Sequence, residues 1–498
     1  MHVIRDAPGV IADHAIRFPV GGRVQSLTWP VGLVAVAIGL LIARFVTTCS
    51  PYYLIVGTGA LVLGMVLIRN LQFGLWAYLF VAALAIGESP EIQSPNSGYR
   101  AGLMPSEILL GFLALLWLGR AASTRGSRLT KSGLNLPLIA LGAVALLSLV
   151  MNNIMRGTKA LLFHQMLITQ TAEVGLLWFT ICAFLLAANT WVDRKWLSRL
   201  FIPVALFGLY FSVHRILGLQ SLIPIAWGSF LLSAAIAFVY SRLLLDNLDR
   251  ARKIGFTLLL LVMLFAAYMS LSWVSGWVAV TGAILVVSYY RSRALAGLLV
   301  ILALVAIFVY PGVYHPVREE SELGGDFDRF VIWHDAFDMF MSVSPVFGVG
   351  PGNYHPYVYF HNTLWFGTRT YTTAHSNYVQ MAAELGLVGF AVFLWVIAAG
   401  IRAGQRAIRG SPRELKWLAV SATAIFASMV VASVLGDYLF PSRGNNGIVN
   451  FGTTVYTWLI LGAAVAAANL PRDTEGLSEC HSERSEESHR QERDSSCA

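Results

Sequence analysis

The chain has 498 residues, of which 56% are apolar and only 12% charged, with a mean hydropathy of +0.65. Soluble domains carry about 25% charged residues, so this composition excludes an ordinary globule and points to a bilayer. The net charge of +8 is then a matter of membrane topology rather than of nucleic-acid binding.

The first thirty residues show no cleavable signal, and residues 30–47 read as an uncleaved first span. Crossing the hydrocarbon core takes roughly 20 apolar residues. Stretches of that kind begin near Pro30, Tyr52, Leu71, Ser106, Leu136, Gln165, Arg199, Leu222, Gly255, Ser275, Leu295, His375, Trp417 and Phe451. The expected fold is therefore all-α, a polytopic integral membrane protein of about 12–14 transmembrane helices with one large extracytoplasmic loop. The chain divides into a cytoplasmic segment 1–29, a first membrane block 30–310, the loop 311–374, a last membrane block 375–470 and a polar tail 471–498. The tail is low in complexity and reads as disordered. Cys49, Cys182, Cys480 and Cys497 are scattered and show no metal-ligand spacing.

Orientation follows from the basic residues. Arg120, Arg125, Arg128 and Lys131 fall in one inter-span segment, Arg194, Lys195 and Arg199 in another, and Arg402, Arg406, Arg409, Arg413 and Lys416 in a third. With the N-terminus inside, these and most other Lys and Arg residues are cytoplasmic, as the positive-inside rule requires. The loop before His375 is then extracytoplasmic.

That loop interrupts an otherwise buried chain. Phe327, Phe330, Val331, Phe337, Phe340 and Met341 follow helical spacing, with Asp328, Asp335 and Asp338 opposite, which predicts an amphipathic helix on the membrane face of the protein. Arg329 and Trp333 are four apart and share a face, so the guanidinium can rest on the indole or pair with a nearby aspartate. Gly348, Gly350 and Gly352 alternate after Pro345; they suit a tight structural turn, or more weakly a phosphate cradle. Tyr357, Tyr359, Phe360, Trp365, Phe366 and Tyr371 either anchor at the headgroup layer or stack on sugar rings.

The last apolar block opens on Ala374-His375-Ser376-Asn377-Tyr378. Thr372 or Thr373 is the expected helix cap, which puts His375 in the first turn. There the helix dipole disfavours imidazolium and leaves a neutral proton acceptor, although an interfacial histidine can equally be structural. Glu384 lies deeper, on the side of Asn377 and Gln380; it is either functional or a link to another helix. Gly386 and Gly389 offer a flat face for close helix packing.

Taken in order, Arg329-x3-Trp333, Pro345-x-Phe347-Gly348-x-Gly350-x-Gly352-Asn353-Tyr354 and His375-Ser376-Asn377-x6-Glu384-x-Gly386-x2-Gly389 resemble the O-antigen ligase and polysaccharide polymerase superfamily. The resemblance implies a metal-independent, cofactor-free glycosyltransferase of the bacterial cytoplasmic (inner) membrane. Its expected partners are an undecaprenyl-diphosphate-linked glycan, an acceptor glycan or lipid, and the bilayer, with no nucleic acid. It implies that His375 activates the acceptor hydroxyl and Arg329 holds the diphosphate, with Trp333, Ser376, Asn377, Glu384, Arg215 and Arg318 as substrate-binding candidates. One departure stands out. Where family members carry an arginine in a Ser-Arg-Gly-Gly-Trp-like segment, this chain has Val274 in Trp273-Val274-Ser275-Gly276-Trp277. Arg215, Arg318, Arg369 or Arg443 would have to supply the missing cation. Two other classes compete: a membrane transporter, including one for inorganic carbon, and an inactive accessory subunit of a glycan-export complex, which Val274 favours.

Overall fold

The computed structural model describes residues 64, 66–67, 69–83, 105–124, 129–155, 164–219, 228–270, 274–309, 325–354, 374–441 and 449–470. Residues 1–69 form a compact unit of their own, of which only 64, 66, 67 and 69 are described. The expected spans near Pro30 and Tyr52, Arg318, Arg369, Arg443, Thr372, Thr373 and the tail lie outside the described residues.

The second unit, Asn70–Ala498, is built from helices, with no strand among the described residues. These are α1 (Leu71–Ala83), α2 (Pro105–Ser123), α3 (Asn135–Met155), α4 (His164–Thr190), the short α5 (Arg194–Arg199), α6 (Phe201–Leu217) and α7 (Gly228–Leu245). After them come α8 (Arg250–Ser270), α9 (Val274–Arg291), α10 (Arg293–Val309), α11 (Gly325–Val343), α12 (Asn377–Gly410), α13 (Lys416–Ala432) and α14 (Val449–Ala468). Among the described residues seven helical stretches are long and apolar enough to cross a membrane, and four shorter apolar helices accompany them. The protein is a multi-pass membrane protein.

Helix is the form such sequences must take, because backbone N–H and C=O groups find no water in the hydrocarbon core. Polar side chains inside the spans close onto the same ladder. Ser421 Oγ donates to Trp417 O at 2.7 Å, Thr423 Oγ1 to Ala419 O at 2.7 Å and Ser270 Oγ to Ala266 O at 2.7 Å.

Two helices form the axis of the bundle. α13 packs against α7, α9, α12 and α14, and α14 packs in turn against α4 and α12. Burial decides which helices are central: 83% of the α13 span is enclosed by protein, against 22% of α8. Close approach is achieved with small residues, as membrane helix pairs require. A Cβ on Gly400 would lie 2.3 Å from the Phe426 ring, and one on Gly404 2.6 Å from Thr423 Oγ1.

The basic segments gather at one end of the bundle. Arg194, in α5, pairs with Glu414, between α12 and α13, at 3.0 Å. Thr130 N donates to Asn189 Oδ1 at 2.7 Å, and Gly133 lies beside the Arg406 guanidinium. The opposite end holds α11, the 344–354 segment, the start of α12 and the 433–441 segment.

α11 forms where the sequence predicts a helix, but its faces differ from the expectation. The stripe packed on protein is Ile332, Ala336, Met339 and Phe340, spaced i, i+4, i+7 and i+8. Phe330, Val331, Phe337 and Met341 are exposed. The helix is therefore apolar on two sides, one seated on α12 and one outward, and a single-face reading of its periodicity merges them. His334 and Asp338, one turn apart at 3.6 Å, occupy the remaining polar edge.

Candidate functional site

The site is organised by a break in α12. Gly386 has φ 67° and ψ −167°, which interrupts the ladder about nine residues after the helix begins. In an unbroken helix, Leu387 and Val388 would donate to the carbonyls of Ala383 and Glu384. Here Leu387 N donates to Pro345 O at 2.9 Å and Val388 N to Val346 O at 3.3 Å. The released carbonyls are taken up by the same segment: Val349 N donates to Ala383 O and Gly350 N to Glu384 O, both at 2.9 Å. The 345–350 segment thus stands in for the missing turn and leaves none of these four backbone groups unsatisfied, the condition for irregular backbone inside a membrane protein.

This overturns the flat-face reading of Gly386. A Cβ there would lie 2.3 Å from Val346 O, so the glycine is needed for the break and for close approach of the inserted segment. Gly348, Gly350 and Gly352 all have positive φ, of 71°, 92° and 68°. The N–H groups of the first two point into the protein: Gly348 N donates to Ser344 O at 2.7 Å and Gly350 N to Glu384 O at 2.9 Å. The segment is a structural turn, with these amides already engaged.

A polar network grips it from the sides. Ser148 Oγ on α3 donates to Phe347 O at 2.8 Å, and Gln170 Nε2 on α4 donates to Asn353 Oδ1 at 2.7 Å. Glu384 is 5% exposed. Its Oε1 accepts from Gln380 Nε2 at 2.7 Å and from Tyr354 N at 3.3 Å. Glu384 therefore links helix to turn, and with Glu173, Pro351, Asn377 and Gln380 it lines a cavity of about 30 Å³, room for about one water.

The start of α12 also differs from expectation. Ser376, with extended backbone at φ −158°, is the N-cap, and its side chain accepts from Val379 N at 3.4 Å. His375 is the residue before the cap rather than a member of the first turn. It has φ 47° and is the one non-glycine residue with positive φ among the described residues. The cap needs an oxygen-bearing side chain on extended backbone, and Ser376 meets both conditions where a left-handed His375 cannot extend the helix.

A left-handed non-glycine residue costs about 1–3 kcal/mol and persists only where its surroundings hold it. Both flanks of His375 are held. On one side, Ala374 N donates to Gln380 Oε1 at 3.2 Å, while Ala374 O accepts from Trp333 Nε1 at 2.9 Å. On the other, Ser376 Oγ donates to Ser433 O at 3.4 Å and Asn377 N to Ser433 O at 3.0 Å. The Asn377 side chain accepts from Leu439 N at 2.8 Å and Phe440 N at 3.2 Å and donates to Phe440 O at 3.0 Å. His375 itself is half-buried at the positive end of the α12 dipole.

The structure therefore brings Trp333, His375, Ser376, Asn377 and Glu384 into one framework. Arg329, half-buried, is one turn of α11 from Trp333. Arg215 is exposed at the last turn of α6, a helix that packs chiefly against α7 and α8. Val274 is the first residue of α9. The neighbouring Ser275 Oγ shares a 2.8 Å hydrogen bond with Tyr438 Oη, so the Val274 position adjoins the 433–441 segment that Asn377 holds. That segment, with its buried Asp437, escaped sequence reasoning. The short polar break Gly436-Asp437 between two apolar runs was its only signal.

Residues 255–394 match the family model described as O-antigen ligase, a stretch running from α8 to the middle of α12 and containing Arg329, Trp333 and every residue of the His375 motif. The match supports the resemblance carried by those motifs, that of the O-antigen ligase and polysaccharide polymerase superfamily. No curated protein is matched.

Proposed function

We propose that this protein is a glycosyltransferase of the bacterial cytoplasmic membrane that moves a glycan from an undecaprenyl diphosphate carrier to an acceptor hydroxyl at the outer face. The observation that carries the reading is the left-handed backbone of His375, held on both sides at the mouth of a broken helix and within the O-antigen ligase match. Strain maintained by this many contacts points to a residue whose placement matters.

In this reading His375 takes the proton of the acceptor hydroxyl as its oxygen bonds to the anomeric carbon. The bond from that carbon to the diphosphate oxygen breaks, and undecaprenyl diphosphate leaves with the electron pair. The leaving group gains negative charge, which a cation must neutralise. Arg329 supplies one such cation, with a second from among Arg215, Arg318, Arg369 and Arg443. Trp333 fixes the approach of α11 to His375, and Ser376, Asn377 and Glu384 act by holding the backbone around the site.

The test uses purified protein in lipid discs with a polyprenyl-diphosphate glycan and candidate acceptor glycans or lipids. Wild type is expected to turn over, and His375→Ala and His375→Gln to bind donor without transferring it, since glutamine cannot accept a proton at neutral pH. Turnover surviving in His375→Ala would sink the base assignment. Val274, at the outer start of α9, favours the accessory-subunit reading; absence of wild-type turnover with every acceptor would favour that role.

A further inference from the structure

We propose that Gln380 is the positioning residue for His375. This rests on the reading of His375 as the general base, and goes beyond it by naming what holds that base in its strained conformation.

Gln380 is 4% exposed and lies one turn above Glu384. Its amide uses both ends. Oε1 accepts the N–H of Ala374, the residue immediately before His375, at 3.2 Å, and Nε2 donates to Glu384 Oε1 at 2.7 Å. Glu384 also receives the backbone N–H of Tyr354 at 3.3 Å, and Tyr354 Oη donates to Ile332 O on α11 at 3.2 Å. The next residue of α11, Trp333, closes the loop by donating to Ala374 O at 2.9 Å. The path is a ring: Ala374, Gln380, Glu384, Tyr354, α11 and back to Ala374.

The ring has two consequences. Both backbone polar groups of Ala374 are spoken for, which leaves the chain no freedom to relax His375 toward an ordinary φ. The base is also tied to the helix that carries Arg329. A side chain in this place must accept from an N–H and donate to a carboxyl oxygen, and the amide does both with separate atoms. Glu384 Oε1 also accepts from Tyr354 N, so the Gln380 Nε2 end lies against that oxygen and Oε1 faces Ala374 N. A buried group of this kind left half-paired would be unfavourable.

The experiment measures kcat and donor KM in lipid discs for Gln380→Met, Gln380→Glu, Glu384→Gln and the exchange variant Gln380→Glu/Glu384→Gln, with thermal unfolding and donor binding recorded alongside. Methionine keeps the length and loses both bonds. Gln380→Glu keeps an acceptor for Ala374 but sets two carboxylates against each other. The exchange restores the bond to Ala374 and reverses the one between 380 and 384: the carboxylate at 380 accepts from Ala374 and from the new amide at 384, while Tyr354 N–H, which in the wild type shares Glu384 Oε1 with Gln380 Nε2, loses that acceptor.

Gln380→Met is expected to lower kcat by about ten- to a hundredfold through misplacement of the base, with donor KM unchanged. The exchange variant is expected to recover part of the loss seen in Gln380→Glu alone. Two results would overturn the proposal. One is a Gln380→Met protein that is less stable but turns over at wild-type kcat per folded molecule, the mark of a merely structural role. The other is an exchange variant no more active than Gln380→Glu. His375→Ala run in parallel separates the two levels. If it stays active, the base assignment fails and this proposal with it. If it is inactive while Gln380→Met has wild-type kcat, only the positioning role falls.

Discussion

The two ends of α12 are built on opposite principles. Its lower half, around Gly400 and Gly404, meets α13 through small residues and rings: Phe426 packs on Gly400, and the Phe426 and Trp458 rings meet edge to face at 5.5 Å. Little there depends on hydrogen bonds between helices. Its upper half is broken at Gly386 and held by directional bonds to the 345–354 turn, to α11 through Trp333, and to the 433–441 segment through Asn377. Dispersion packing tolerates no voids but specifies little about the placement of one atom. A hydrogen-bonded framework fixes individual backbone atoms and can hold one residue under strain. Stability should therefore reside mainly in the lower half and activity in the upper.

The sharpest way to break that division is His375→Ala, expected to lower glycan transfer by about 10²–10⁴-fold, the usual contribution of a general base, with no loss in thermal unfolding temperature. A large fall in stability would show that His375 serves the fold. The converse substitution, Phe426→Ala, removes a ring at the α12–α13 contact and should destabilise by about 3–5 kcal/mol. Chemical or thermal unfolding in detergent measures that loss, and folded Phe426→Ala protein should keep near wild-type turnover.

Arg329→Ala is expected to weaken donor use by about ten- to a hundredfold, since a charge-assisted contact to phosphate contributes about 1.5–3 kcal/mol. Lysine at 329 should recover part of it, lacking the two-pronged geometry of the guanidinium. Donor titration against both variants is the check; wild-type donor use by Arg329→Ala would place the diphosphate elsewhere. Trp333→Phe keeps the ring and removes the hydrogen bond to Ala374. A loss of about 0.5–1.5 kcal/mol in transition-state stabilisation is expected, read as a fall of a few- to about tenfold in kcat/KM. Smallest of all, deleting residues after Arg472 should change neither membrane insertion nor transfer, because so polar a segment has little apolar area to bury. Loss of transfer at normal protein level would assign the tail a role.

Much of the fold is a matter of composition and order. Long apolar stretches can only become helices where the backbone has no water to bond, so membrane class, helical form and the approximate span positions follow from residue type alone. The candidate site was legible to the same depth. His375, Ser376, Asn377, Glu384, Arg329 and Trp333 stand out because polar residues are rare in such a chain, and their order carries the family resemblance. Tertiary structure decided everything that depends on which distant groups meet. No local pattern shows that Gly386 breaks its helix rather than packing it, because the break is stable only when Pro345, Val346, Val349 and Gly350 arrive to bond the freed groups. The cap moved to Ser376, and His375 out of the first turn, because Trp333 and Gln380 pin Ala374 and Ser433 receives Ser376. The two-sided packing of α11 is likewise invisible in its periodicity, since lipid and protein select the same apolar residue types. Sequence names the groups able to bond, and a bond between residues far apart in the chain exists only once the fold has brought them together.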